Sequence, residues 1–149
     1  MYSSFTKNKK YKHKEIARLY AIQCLYAWYI SGNNISSIIN YFLKTKNIKK
    51  FNINFFYKIT LGVVLHTKKI NKFFLFYKKN HISTYHVIEI LVIKICLFEL
   101  FYKKRNEKYN TQNLHNTIQL LQKFCGVNHT NFIYRLTYNI NLVFSLQSN

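Results

Sequence analysis

The residues best suited to chemistry in this sequence are cations near the start of the chain. They are Lys7, Lys9, Lys10, Lys12, Lys14 and Arg18. Ammonium and guanidinium groups neutralise phosphates, so a cluster of them is typical of nucleic-acid binding. Lys14, Arg18 and Tyr26 follow an i, i+4 row, and we expect them to lie along one side of a helix. An exposed tyrosine there would offer a stacking face to an unpaired base, as in the recognition of single-stranded RNA.

Two simpler interpretations of the same stretch stay open. The lysines from 7 to 14 would then form only a solvated tail, and Tyr26 would lie at the edge of the core. The charge of the whole chain, +19 from 23 basic and 4 acidic residues, has a similar alternative. Lys, Asn and Ile dominate the composition, and AT-rich codons favour these residues. A field this positive nevertheless attracts polyanions, with nucleic acid as the first candidate and an anionic membrane surface as the second.

The sequence offers little for catalysis. It has no aspartate, and its four glutamates are scattered: Glu15, Glu89, Glu99 and Glu107. Glu89 and Glu99 would be about 15 Å apart on one helix, too far to act together. There is no glycine-rich phosphate loop, and the spacing of the three cysteines fits no metal site. We therefore expect a protein that is not an enzyme and has no cofactor or metal, in a reducing, cytoplasmic compartment.

The elements that must position the cations are helical. A buried stripe is predicted on the first helix, with a C-terminal cap at Gly32 and an N-cap for a second helix at Asn34. The stripe consists of Ala17, Ala21, Cys24 and Trp28. A long helical pattern runs from about Asn54 to Tyr77, and two further helices begin near Thr111 and Thr130.

The segment from 85 to 103 is apolar on nearly all sides, as a central buried helix would be. Three charged residues, Glu89, Lys94 and Glu99, argue against its crossing a membrane. The sequence thus predicts an all-α fold, a compact bundle of six or seven helices. We expect a basic N-terminal arm over residues 1–13 and a single domain over residues 14–149.

Three motifs resemble those of the NusB family of bacterial transcription antitermination factors. The first helix matches A-x-Q-x-L-Y-x-W through Ala21, Gln23, Leu25, Tyr26 and Trp28. A G-V-x-x-x-T pattern is matched by Gly62, Val63 and Thr67. The helix after it carries Glu89, Val92, Lys94, Phe98, Glu99 and Leu100 in the family's order. The similarity is weaker beyond Leu100, where the chain has His115-Asn116 and Tyr134-Arg135 in place of the family's residues.

The resemblance implies a helical, non-catalytic protein that binds the boxA element of nascent ribosomal RNA transcripts. It also implies two partners, the small-subunit ribosomal protein NusE and the RNA polymerase antitermination complex, and no membrane. The RNA-binding residues carried over by position are Lys10, Lys12, Lys14, Arg18, Tyr26, Tyr77, Lys94, Asn131 and Phe132. Glu89 and the region around Asn128 would contact the protein partner. Tyr77 and Phe132 have an alternative interpretation as core residues, and Lys94 as a simple surface lysine.

Overall fold

The computed structural model describes residues 2–78 and 87–101, together with Gln119 and Lys123. Side chains are described for 12–72, 75, 87–99, 119 and 123. The helices are α1 (Tyr2–Ser31), α2 (Ile35–Thr45), α3 (Ile53–Leu65), α4 (Thr67–Lys78) and α5 (Val87–Phe101), with a 3-10 turn at Ile48–Lys50. The predicted all-α class is confirmed, because every element in these described ranges is helical. Apart from Gln119 and Lys123, the two helices predicted to begin near Thr111 and Thr130 lie outside the described residues.

The chain divides into two compact units, Met1–Thr67 and Lys68–Asn149. In the first unit, the backbone of the predicted basic arm is helical from Tyr2 onward and forms the first part of α1. The division into an arm and a domain beginning at residue 14 stays a prediction.

Two caps fix the turn between α1 and α2. Gly32 has a φ of +68°, in the left-handed region that glycine enters without steric cost, so α1 ends there. The Asn34 side chain accepts a hydrogen bond from the backbone N–H of Ser36 at 2.9 Å and caps α2. Both caps were predicted from the sequence, and both are confirmed.

The core of the first unit is formed by one side of α1 and by a group of packed aromatic rings. Ala17, Ala21 and Cys24 are fully buried, as the predicted stripe requires, whereas Trp28 is only half-buried. The rings of Tyr20, Phe42, Phe51 and Phe56 join α1, α2, the connection after α2, and α3 through centroid distances of 5.0–5.9 Å. Each such pair contributes about 0.5–1.5 kcal/mol beyond the area it buries.

The long pattern predicted from Asn54 to Tyr77 divides into α3 and α4. His66 separates the two helices with φ −105° and ψ 20°, and its N–H donates to the carbonyl of Gly62 at 3.0 Å. Val63 and Ile70 are both buried on either side of the break. The apolar period therefore continues across His66, and periodicity alone does not reveal the division.

Most of helix α5 is buried, as its sequence predicted, although Ile88 is exposed and Lys94 is half-buried. Its residues Leu91, Val92, Ile93, Ile95, Cys96 and Leu97 are each at most 2% exposed. The helix has 15 residues, and none of the helices in the described ranges is long and apolar enough to span a bilayer.

Candidate nucleic-acid interface

The start of α3 is fixed against the basic half of α1 by a pair of hydrogen bonds at Asn52. The backbone N–H of Asn52 donates to the carbonyl of His13 at 3.2 Å. The Asn52 side chain accepts from the N–H of Phe55 at 3.0 Å and so caps α3. One asparagine therefore satisfies an orphan donor of α3 and joins that helix to the part of α1 that carries the predicted RNA-binding cations.

The ring of Phe55 lies against two of those cations. Lys14 Nζ is 4.9 Å from the ring centroid, and the guanidinium carbon of Arg18 is 5.0 Å from it. Both distances are within the range of cation–π attraction, which is worth about 0.5–1 kcal/mol at exposed sites and about 2 kcal/mol when desolvated. The ring thus restricts where the two cationic groups lie, which lowers the entropy cost of binding an anion with them.

The two cations differ in how much of them a ligand can reach. Arg18 is only 2% exposed, whereas Lys14 is half-buried and its neighbour Lys12 is exposed. Direct phosphate contact is therefore easiest for Lys12 and Lys14. An RNA contact by Arg18 stays a prediction. The burial of the Arg18 side chain against Phe55 suits a residue that orients the side chains around it.

The i, i+4 row of α1 does not form one exposed face. Each step of four residues turns by about 40° around a helix of 3.6 residues per turn. The row consequently passes from half-buried Lys14 through buried Arg18 and Ile22 to Tyr26, which is 42% exposed. The expectation that Lys14, Arg18 and Tyr26 lie along one side of the helix is wrong as a description of an exposed face, because Arg18 is buried, whereas Tyr26 is exposed.

Further apolar side chains are exposed beside Tyr26 at the end of α1. Tyr29 is 56% exposed and Ile30 is 63% exposed. Tyr29 had no predicted role, although its place in the same aromatic run was a signal for one. An exposed aromatic ring is a general stacking platform for bases, because every base has a π-face.

The charged residues of the first unit are almost all positive. Residues 1–67 contain eleven Lys and Arg residues and a single acid, Glu15, which gives a formal charge of 11 − 1 = +10. Lys44, Lys49, Lys50 and Lys58 are all exposed. Such a field raises the local concentration of a polyanion and accelerates its association.

Lys46 has a different environment from the other lysines of the connection after α2. Its ammonium lies 5.3 Å from the ring centroid of Tyr20 and 5.2 Å from that of Phe42. Burial raises the pKa of the Cys24 thiol from 9.0 to about 12, and the positive charge of Lys46 lowers that pKa and so offsets part of the rise. A thiol with this pKa is protonated at neutral pH and behaves as a small apolar group.

The other predicted site residues fall on α4, α5 and later segments. Lys94 is half-buried on α5, and its burial lowers the pKa of its ammonium below the usual value of 10.5. Glu89, on the same helix, is 8% exposed. Tyr77 and Lys10 belong to the helical backbone of α4 and α1, but their side chains are outside those described. The positions Asn128, Asn131 and Phe132 also lie outside the described residues.

Asn52 and Phe55 are the site residues that sequence reasoning missed. The cap was detectable, since an asparagine directly precedes an apolar helical run. The contact of Phe55 with Lys14 and Arg18 was not, because it joins segments far apart in the chain. Within the described ranges, no three metal-ligating side chains gather at one point.

Comparison with known proteins places the chain in one family. The model of the NusB family matches residues 15–133. The chain is 39% identical over 87 residues to the transcription antitermination protein NusB of Blochmanniella floridana, covering 58% of this chain and 63% of that relative. It is 32% identical over 124 residues to the NusB protein of Buchnera aphidicola subsp. Baizongia pistaciae, covering 83% and 85% of the two chains. A third relative, from Buchnera aphidicola subsp. Acyrthosiphon pisum, is 31% identical over 135 residues, or 85% and 93%.

Proposed function

This chain belongs to the NusB family of transcription antitermination proteins, and we propose that it acts by binding boxA-type single-stranded RNA of nascent ribosomal RNA transcripts. It would do so together with the small-subunit ribosomal protein NusE, within the RNA polymerase antitermination complex. We propose no catalytic activity, because the relatives are named as transcription antitermination proteins rather than as enzymes.

The observation that carries the RNA-binding part is the arrangement on α1. Lys14 is held against Phe55, Lys12 is exposed two residues before it, and Tyr26 is exposed further along the same helix. Tyr26 lies twelve residues after Lys14, about 18 Å along the helix axis. Three steps of about 40° separate Lys14 and Tyr26 around the helix, so a single strand that curves around α1 would present phosphates to the cations at one end and a base to the ring at the other.

We assign the protein partner to the region around Glu89 and Asn128. A partner that touches both this protein and the RNA adds interactions that neither makes alone. Coupling of this kind is typically worth about 1–3 kcal/mol, or about 5- to 150-fold in affinity. We therefore expect the protein to bind RNA weakly alone and more tightly with NusE.

A binding titration tests this proposal directly. The parent protein is titrated with a boxA-type RNA and with a scrambled RNA of the same length and composition, each with and without NusE. We expect NusE to tighten binding to the boxA-type RNA by about 5- to 150-fold and to leave the scrambled RNA less affected. An affinity that does not change with NusE would remove the antitermination role of the site and leave a general RNA-binding protein.

The charge of +10 on residues 1–67 also favours a second candidate, binding to an anionic membrane surface. Flotation with phosphatidylserine-containing vesicles separates the two candidates. At physiological salt, we expect RNA to displace the protein from the vesicles. Vesicles that retain the protein in the presence of excess RNA would favour the membrane surface instead.

A further inference from the structure

The connection between α2 and α3 carries a second group of cations that the α1 site does not include. Lys49 and Lys50 are exposed in the 3-10 turn Ile48–Lys50, and no role follows for them from the motifs of the sequence. We propose that these two lysines extend the RNA-binding surface by contacting phosphates of the strand beyond those held by α1. This proposal rests on the RNA-binding function proposed above.

The turn that carries the two lysines is held in place at both ends. Asn47 caps it, since its side chain accepts from the N–H of Lys49 at 3.1 Å and its carbonyl accepts from the N–H of Lys50 at 3.1 Å. Phe51 follows directly, is 4% exposed, and packs edge-on against Tyr20 and Phe56 at centroid distances of 5.0 and 5.7 Å. The backbone that carries Lys49 and Lys50 is therefore held by contacts within its own unit.

The same connection leads straight to the basic part of α1. Asn52, whose N–H donates to the carbonyl of His13 at 3.2 Å, is two residues after Lys50. The Cα atoms of Lys50 and Asn52 are therefore at most about 7 Å apart. His13 in turn lies between Lys12 and Lys14. The turn and the α1 cations consequently belong to neighbouring parts of one compact unit, and a single extended strand can reach both.

Electrostatics favours RNA as the occupant. The first acidic residue after Glu15 is Glu89, so no carboxylate of residues 16–88 competes for these lysines. A lysine that neutralises a phosphate releases counterions and gives binding a salt dependence of about 0.7 per phosphate on single strands. Such contacts position the strand and do not read its sequence.

The test replaces both lysines and compares them with a matched pair elsewhere. The test variant is Lys49→Ala with Lys50→Ala, and the control is Lys68→Ala with Lys72→Ala. The control pair is also exposed, carries the same charge, and lies on α4 outside the unit Met1–Thr67. Thermal unfolding of each variant shows that it is folded before its RNA affinity is measured over a series of salt concentrations.

We expect the test variant to lower the slope of log K against log salt by about 1.4, or about 0.7 for each lysine. Over the decade from about 1 M to about 0.1 M salt, this difference in slope corresponds to binding that is up to about 25-fold weaker. The control should keep the slope of the parent. Equal weakening in both variants, or a parent-like slope in the test variant, would overturn the role of Lys49 and Lys50 while leaving the proposed function in place. A parent protein that binds no RNA would instead reject both proposals.

Discussion

The interaction of Phe55 with two cations allows a prediction whose size can be worked out from the structure. Replacing Phe55 with leucine keeps an apolar side chain but removes the aromatic face. Arg18 is 2% exposed, so its interaction with the ring should be worth about 2 kcal/mol, whereas half-buried Lys14 should contribute about 0.5–1 kcal/mol. We therefore expect Phe55→Leu to lower the free energy of unfolding by about 2.5–3 kcal/mol, in addition to any change in packing.

The pairwise energy is measured by a double-mutant cycle of Phe55→Leu with Lys14→Met, using urea denaturation. Lys14 is the better partner for the cycle, because it is half-buried, whereas truncating the fully buried Arg18 would disturb the packing around it. The coupling energy should be about 0.5–1 kcal/mol. The folded Phe55→Leu variant should also bind single-stranded RNA about 2- to 12-fold more weakly, since Lys14 is no longer held in position, at a cost of about 0.5–1.5 kcal/mol.

The salt dependence of binding distinguishes positioning from charge. Phe55→Leu removes no cation, so the slope of log K against log salt should equal that of the parent. Phe55→Tyr keeps the aromatic ring and serves as the control, with an affinity close to that of the parent. A coupling energy near zero, together with unchanged RNA affinity in Phe55→Leu, would refute a positioning role for the ring.

Three further predictions concern other residues of the same unit. Replacing Lys10, Lys12 and Lys14 with alanine should weaken all single-stranded RNAs about equally and lower the salt slope by about 0.7 for each phosphate that is no longer neutralised; a slope equal to that of the parent would exclude phosphate binding there. Tyr26→Ala should cost about 1–3 kcal/mol of binding with an unchanged slope, and a variant that is less stable yet binds RNA as the parent does would identify Tyr26 as a core residue. Because burial raises the pKa of Cys24 to about 12, its thiol should resist iodoacetamide at mildly alkaline pH in the folded protein, as followed by peptide mass mapping; rapid alkylation under native conditions would contradict its burial. The protonated thiol contributes stability fully below the unfolded pKa of about 9, and this contribution declines as pH rises towards 12.

Local chemistry explains why several features were predictable from the sequence. Glycine after a helix and asparagine before one are typical capping residues. The turn between α1 and α2 could therefore be located at Gly32 and Asn34 from the sequence. The buried character of α5 followed from its composition, because a helix that is apolar on all sides has no face for water. The break at His66 was not predictable, since the apolar period runs on through it.

The fine structure of the candidate site depends on interactions between distant segments. The spacing of α1 placed Lys14, Arg18 and Tyr26 in one i, i+4 row, but the burial of Arg18 is set by packing in the folded unit, including its interaction with Phe55. The order of the connection carrying Lys49 and Lys50 likewise depends on the burial of Phe51 against Tyr20 and Phe56. A single sequence does not specify such tertiary pairs, whereas it does specify caps and periodicity.

The central claim, that α1 holds single-stranded RNA, is tested most directly by photo-cross-linking. A boxA-type RNA with 4-thiouridine at successive positions is irradiated with the parent protein and NusE, and the cross-linked residues are identified by mass spectrometry. We predict cross-links at Tyr26 and within the segment from Lys10 to Arg18, competed by unlabelled boxA-type RNA. Efficient cross-links confined to other segments, with none on α1, would contradict the claim.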